Sequence, residues 1–72
     1  MKIDDFLNLT YEELESFTGI KQTAWSKYFN RKRTISEHNL VKICKALDMS
    51  MSDFWLALEI RRERTYKRNK KY

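Results

Sequence analysis

The stretch that decides the fold is LTYEELESFTGIKQTAWSKYFNR, residues 9–31. It is divided by Gly19, the only glycine in the chain. Thr10 and Glu13 have the spacing of a capping box, which predicts the start of a helix running from about residue 11 to 17. Glycine adopts the left-handed conformation in which helices commonly end. The stretch therefore predicts two short helices joined at Gly19.

The second of these helices, at about residues 22–30, has two different faces. At 100° per residue, one face is apolar and aromatic and carries Ala24, Trp25, Tyr28 and Phe29. The other face offers amide, hydroxyl and ammonium groups, from Gln22, Thr23, Ser26, Lys27 and Asn30. The apolar face is expected to pack in the core, and the polar face is available to contact a partner outside the chain. This is the outline of a helix-turn-helix motif whose second helix enters a DNA groove.

The composition favours one small helical domain. With 72 residues, no proline and one glycine, the chain predicts helices joined by short connections. No apolar run approaches the ~20 residues of a membrane span, and the acidic N-terminus is unlike a signal peptide. A single cysteine excludes an internal disulfide and a multi-cysteine metal site. We therefore expect a cytoplasmic protein without membrane contact, metal or cofactor.

Three further helices are predicted outside the central stretch. Residues 2–8 have helical apolar spacing, and Ser36 and Ser50 are expected to cap the fourth and fifth helices. The fifth helix is expected to be apolar on two sides, with Met51, Phe54, Trp55 and Leu58 on one and Leu56, Ala57 and Ile60 on the other. A helix that is apolar on both sides contacts something on both sides. We therefore expect a homodimer that forms through Leu56, Ala57 and Ile60.

The net charge of +5 is unevenly distributed along the chain. Residues 1–60 contain 8 basic and 9 acidic residues, a net of −1, whereas residues 61–72 contain 7 basic and 1 acidic, a net of +6. In the first part, five cations follow one another without an intervening acid: Lys21, Lys27, Arg31, Lys32 and Arg33. Such confinement predicts a polyanionic partner. It also divides the chain into a domain, 1–60, and a basic C-terminal extension, 61–72.

Lys21 is predicted to precede the second helix of the motif, because Ile20 and Trp25 have the spacing of a hydrophobic staple around it. Lysine is a poor N-cap. We therefore expect the first backbone donors of this helix to lack a side-chain partner. They would then be available to a phosphate oxygen or to water.

From Leu9 to Phe54 the sequence resembles, without gaps, the lambda repressor/Cro-like or Xre group of helix-turn-helix proteins. The resemblance rests on L-T-x-E-E-L, then G-I, then W-S-K-Y, then I-S-x-x-x-L-x-x-I-x-x-A-L-x-M-S. It implies an all-α, compact five-helix domain that binds double-stranded DNA sequence-specifically, often as a homodimer on a two-fold operator. The chain departs from the family pattern at Tyr11, Glu15, Phe29, Arg31 and Ile35.

The resemblance also implies roles for individual residues. Base edges would be read by Gln22, Thr23, Ser26 and Lys27. Together with the charge pattern, it predicts contacts to the DNA backbone from Thr10, Tyr11, Lys21, Asn30, Arg31, Lys32 and Arg33.

The leading hypothesis is a transcriptional regulator that acts by occupying an operator. The alternative is a protein-interaction module, such as an antitoxin or an assembly subunit, on the same scaffold with DNA binding secondary. A third possibility is a basic tail that binds RNA, since contacts to a charged backbone do not depend on sequence. We do not expect an enzyme, because the chain has one histidine, one cysteine and no glycine-rich phosphate loop.

Overall fold

Five α-helices make up the fold in the computed structural model, which describes residues 1–69. In chain order they are α1 (Ile3–Leu7), α2 (Tyr11–Thr18), α3 (Gln22–Phe29), α4 (Glu37–Leu47) and α5 (Met51–Asn69). The described part contains no strand. α2 packs on α3 and α4, and α5 packs on α1, α3 and α4. The predicted all-α, five-helix fold is thereby confirmed.

The ends of the helices lie where the local sequence signals predicted them. Thr10 Oγ1 accepts from the Glu13 N–H at 3.1 Å, and the Glu13 carboxylate accepts from the Thr10 N–H at 2.9 Å. Ser36 and Ser50 each accept a hydrogen bond from the backbone N–H three residues further on. Gly19 ends α2 with a left-handed φ of +75°. The capping box, both serine caps and the glycine stop are confirmed.

An aromatic cluster forms the centre of the core. The ring of Trp25 lies 5.5 Å from that of Phe29, 6.2 Å from that of Phe6 and 6.5 Å from that of Phe54, centre to centre. Arg61 covers the cluster, because its guanidinium lies 4.3 Å from the Phe29 ring centre and donates to the Phe6 carbonyl at 2.8 Å. Ring pairs and cation–π contacts add to the free energy of burial. The cluster joins α1, α3 and α5 to one another.

The exposed residues of α5 differ in part from the prediction. Ala57, expected at a subunit interface, is 0% exposed within the chain's own core. That expectation is wrong for Ala57, because the side of α5 that packs against α1, α3 and α4 is rotated from the predicted one and carries Phe54, Ala57 and Leu58. Met51 and Trp55, expected inside, are 45% and 40% exposed. Leu56 is 55% exposed, and Ile60 is half-buried.

The basic extension does not begin as a separate segment. α5 continues without a break past residue 60, and Arg61 and Arg62 both donate hydrogen bonds to backbone carbonyls of the domain. The last three residues of the predicted extension, 70–72, lie outside the described residues. None of the helices within residues 1–69 is both long enough and apolar enough to cross a membrane.

A buried threonine fixes the turn between α2 and α3. Thr18 is 3% exposed, and its hydroxyl donates to the Leu14 carbonyl. The same oxygen accepts from the Ile20 N–H at 3.2 Å and from the indole N–H of Trp25 at 3.4 Å. One hydroxyl group therefore links the end of α2, the turn and the buried face of α3.

We expect Thr18→Val to lower the free energy of unfolding by about 1–3 kcal/mol. Valine has nearly the shape of threonine but no hydroxyl, so the N–H groups of Ile20 and Trp25 lose their hydrogen-bond acceptor. Denaturant unfolding monitored by circular dichroism measures the change. Thr23→Val, the same substitution at an exposed position of α3, should change it by no more than about 0.5 kcal/mol. Equal changes in the two variants would contradict this role of the Thr18 hydroxyl.

Candidate nucleic-acid interface

The rotation of α3 about its axis is set by its buried side. That side consists of Trp25, Tyr28 and Phe29, none more than 2% exposed. Of the residues predicted to read bases, Gln22, Thr23 and Lys27 are exposed and Ser26 is partly buried. The structure thus brings the four together on the outer side of α3. Their contact with bases remains a prediction.

The first backbone donor of α3 already has a partner. Lys21 is the N-cap residue, as predicted, with extended backbone (φ −63°, ψ 151°) and no hydrogen bond from its side chain. Instead, the Glu15 carboxylate of α2 accepts from the Gln22 N–H at 3.2 Å. The expectation that this donor lacks a side-chain partner is therefore wrong. Local capping patterns did not predict this partner, because Glu15 lies on the preceding helix, seven residues before Gln22.

The other end of α3 is bound to α5. Nε of Arg62 donates to the carbonyl of Tyr28, in the last turn of α3, at 2.9 Å. The Arg62 side chain is only 11% exposed, and its Nη1 lies 3.0 Å from Oε1 of Glu59. A cation at a helix C-terminus also interacts favourably with the helix dipole. Arg62 therefore fixes the exit of α3 against the longest helix of the fold.

Arg31, predicted to contact the DNA backbone, is paired within the chain. Its Nη2 lies 3.0 Å from Oε2 of Glu59, the carboxylate that also binds Arg62. Hydrogen bonds from Arg31 and then Arg62 hold the pKa of the Glu59 carboxyl below its ordinary value. The stabilisation from these pairs is therefore present above the ordinary carboxyl pKa and is lost as the pH falls through the lowered pKa. In this arrangement Arg31 shares the single negative charge of Glu59 with Arg62, so the three side chains together keep a net charge of +1.

Four other cations lie exposed around α3. Lys21 precedes the helix, Lys27 lies on it, and Lys32 and Arg33 follow it. Within residues 1–69 none of the four forms an ion pair. They form a positive surface at both ends and along the outer side of α3, as a polyanion requires.

The uncharged residues predicted to contact the DNA backbone are already engaged in the fold. The Thr10 hydroxyl is the cap acceptor of α2, and the Tyr11 ring, partly buried, lies 5.7 Å from the Phe29 ring. The Asn30 amide donates to a carbonyl of α3 at 2.8 Å. These contacts give the three residues structural roles, and a contact with phosphate remains a prediction for each.

Two residues that position α3 were missed by the sequence predictions. Glu15 was noted only as a departure from the family pattern, and Arg62 only as part of the basic extension and for its helical spacing with Glu59. An acid in place of the usual small residue after Leu14 is the signal that points to Glu15. For the contact of Arg62 with Tyr28 no local signal exists, because the partner carbonyl lies 34 residues earlier in the chain.

A family model described as "Helix-turn-helix" matches residues 7–54, which comprise α2, α3, α4 and the start of α5. The chain belongs to this helix-turn-helix family. The resemblance to the lambda repressor/Cro-like or Xre group is confirmed, and the domain is a DNA-binding helix-turn-helix of the regulator type. No curated protein and no solved structure matches the chain.

We expect Arg62→Ala to lower the free energy of unfolding by about 1–2 kcal/mol, because a charge-assisted hydrogen bond to the end of α3 is lost. Chemical denaturation measures the change. Arg64→Ala, two residues further along α5 at an exposed position, is the matched control and should stay within about 0.5 kcal/mol. A loss as large in the control would show that Arg62 acts only through helix propensity or net charge.

Proposed function

We propose that the protein is a transcriptional regulator that binds duplex DNA sequence-specifically and acts by occupying an operator. α3 enters the major groove with its outer side toward the bases. The single observation that supports this most is the exposure of Gln22, Thr23 and Lys27 on a helix whose opposite side is locked into an aromatic core. A rigidly held polar helix face is what direct readout of bases requires.

The proposed contacts divide into those that read bases and those that hold the backbone. Gln22 pairs bidentately with adenine, and Lys27 reaches guanine or a phosphate. Lys21, Lys32 and Arg33 contact phosphates on either side of the groove, which fixes the position of α3 without reading sequence. Arg31 is left out of this set, because its side chain is paired with Glu59 within the chain.

Footprinting on the DNA upstream of the protein's own gene should reveal a protected site, and Gln22→Ala tests how that site is recognised. We expect this variant to lose about 1–3 kcal/mol of binding free energy on the protected site while its affinity for random duplex DNA stays nearly unchanged, because a base contact is lost. Both affinities are measured at one salt concentration.

Lys32→Ala is the contrasting variant for the same two DNAs. Because a phosphate contact carries no sequence information, it should weaken binding to both by a similar factor and reduce the salt slope by about 0.9. Equal losses on the two DNAs for Gln22→Ala would mean that Gln22 does not read bases. The absence of any protected site would reject operator occupancy at this locus.

We propose further that the protein binds as a homodimer through the outer side of α5. Leu56 and Ile60 lie one turn apart on this helix, and Leu56 is 55% exposed. Trp55, 40% exposed, extends this apolar surface. A two-fold dimer would present two copies of α3 to two half-sites. The same surface supports the second candidate, a module that binds a different protein.

Leu56→Glu should shift the dimer to monomer, because a charge placed in an apolar contact loses its hydration. Sedimentation at tens of micromolar protein measures the assembly state. Ala46→Glu introduces the same side chain at an exposed position of α4 and should leave the dimer intact. If the unmodified protein is a monomer with and without DNA, the homodimer is rejected and a different protein partner is favoured.

A further inference from the structure

The start of α3 is stabilised differently from the starts of the helices around it. α2, α4 and α5 each begin with a hydroxyl that accepts a backbone hydrogen bond, from Thr10, Ser36 and Ser50. α3 begins with Lys21, whose side chain accepts nothing, and it has no acidic residue in its first turn. The helix proposed to enter the DNA groove therefore has no cap from its own sequence.

Glu15 of α2 supplies the missing acceptor. Its backbone carbonyl accepts from the Gly19 N–H at 2.7 Å, which fixes the residue in the last turn of α2. Its carboxylate then reaches across the turn to the Gln22 N–H at 3.2 Å. The acid thus lies directly beside the backbone of a proposed base-reading residue.

We propose that Glu15 is a positioning residue of the DNA interface: its carboxylate caps α3 from outside, and its negative charge weakens the attraction of phosphates to the backbone donors at that helix end. This proposal rests on the proposed DNA binding. The exposed N–H groups at a helix start are a ready binding site for an anion, including a DNA phosphate. A phosphate bound there would hold α3 on any sequence, because backbone contacts carry no sequence information. With the donor occupied by a carboxylate, Gln22 is left to contact bases, and binding that ignores sequence is disfavoured by repulsion.

The capping part of the proposal is tested without DNA, by chemical denaturation. Glu15→Ala should lower the folding equilibrium constant roughly fivefold, the usual effect of losing a cap. Glu15→Gln keeps an oxygen acceptor and should stay within about twofold of the unmodified protein. Lys21→Ser, introduced into Glu15→Ala, should recover most of the loss, because serine caps the same helix end directly. An unchanged equilibrium constant in Glu15→Ala would overturn the capping role.

The electrostatic part is tested with Glu15→Gln on random duplex DNA and on the site protected upstream of the gene. Affinity for random DNA should rise about two- to fivefold, the range of one exposed charge interaction. Affinity for the protected site should rise by a similar factor, because repulsion of phosphates does not depend on sequence. Asp4→Asn, which removes one negative charge from an exposed position of α1, is the control and should leave both affinities nearly unchanged.

The outcomes separate this proposal from the proposed function. Equal effects of Glu15→Gln and Asp4→Asn on the two affinities would overturn the electrostatic role while DNA binding stands. If the unmodified protein binds no duplex DNA, the proposed function and the electrostatic role both fail. The denaturation series would in that case still decide whether Glu15 caps α3.

Discussion

The rest of the structure depends on the burial of Trp25. Its ring lies among aromatic rings of α1, α3 and α5, and its indole N–H is bound by the hydroxyl of Thr18 on α2. Because side chains on a helix recur every 3.6 residues, a helix that buries Trp25 turns Thr23 and Lys27 outward. A single large residue thus fixes both the packing of the short helices and the direction of the face that we propose binds DNA.

The basic residues at the start of the C-terminal extension serve this same arrangement. A chain of this length buries only about 60% of the surface of its unfolded state, so contacts beyond apolar burial matter to its stability. Arg61 closes the aromatic cluster, and Arg62 holds the last turn of α3. As a result, α5 carries the proposed subunit contact on its outer side while its inner side is bonded to the DNA-binding helix.

The sequence predicted those features that depend on neighbours along the chain. Thr10 and Gly19 bound α2 as expected, because a capping hydroxyl and a left-handed glycine act within one turn. The sequence did not predict the features that depend on packing between residues far apart in the chain. Ala57 lies on the side of α5 that its own pattern assigned outward, yet contacts with other helices bury it. Glu15 was likewise beyond a local pattern, since its partner is backbone seven residues away across a turn.

Under the proposed function, the short α3 limits how many bases one subunit can read, and the charges bound into the fold limit its contacts to the DNA backbone. Arg61 and Arg62 are bound into the fold and Arg31 is paired with Glu59, so much of the apparent basic surface is already used. What α3 itself presents is an eight-residue helix with a few outward polar side chains. Each mismatched base pair costs a DNA-binding protein only about 1–3 kcal/mol, and these costs add for separate positions. A second copy of α3 doubles the number of positions read, and for this reason we join operator occupancy and the homodimer in one proposal.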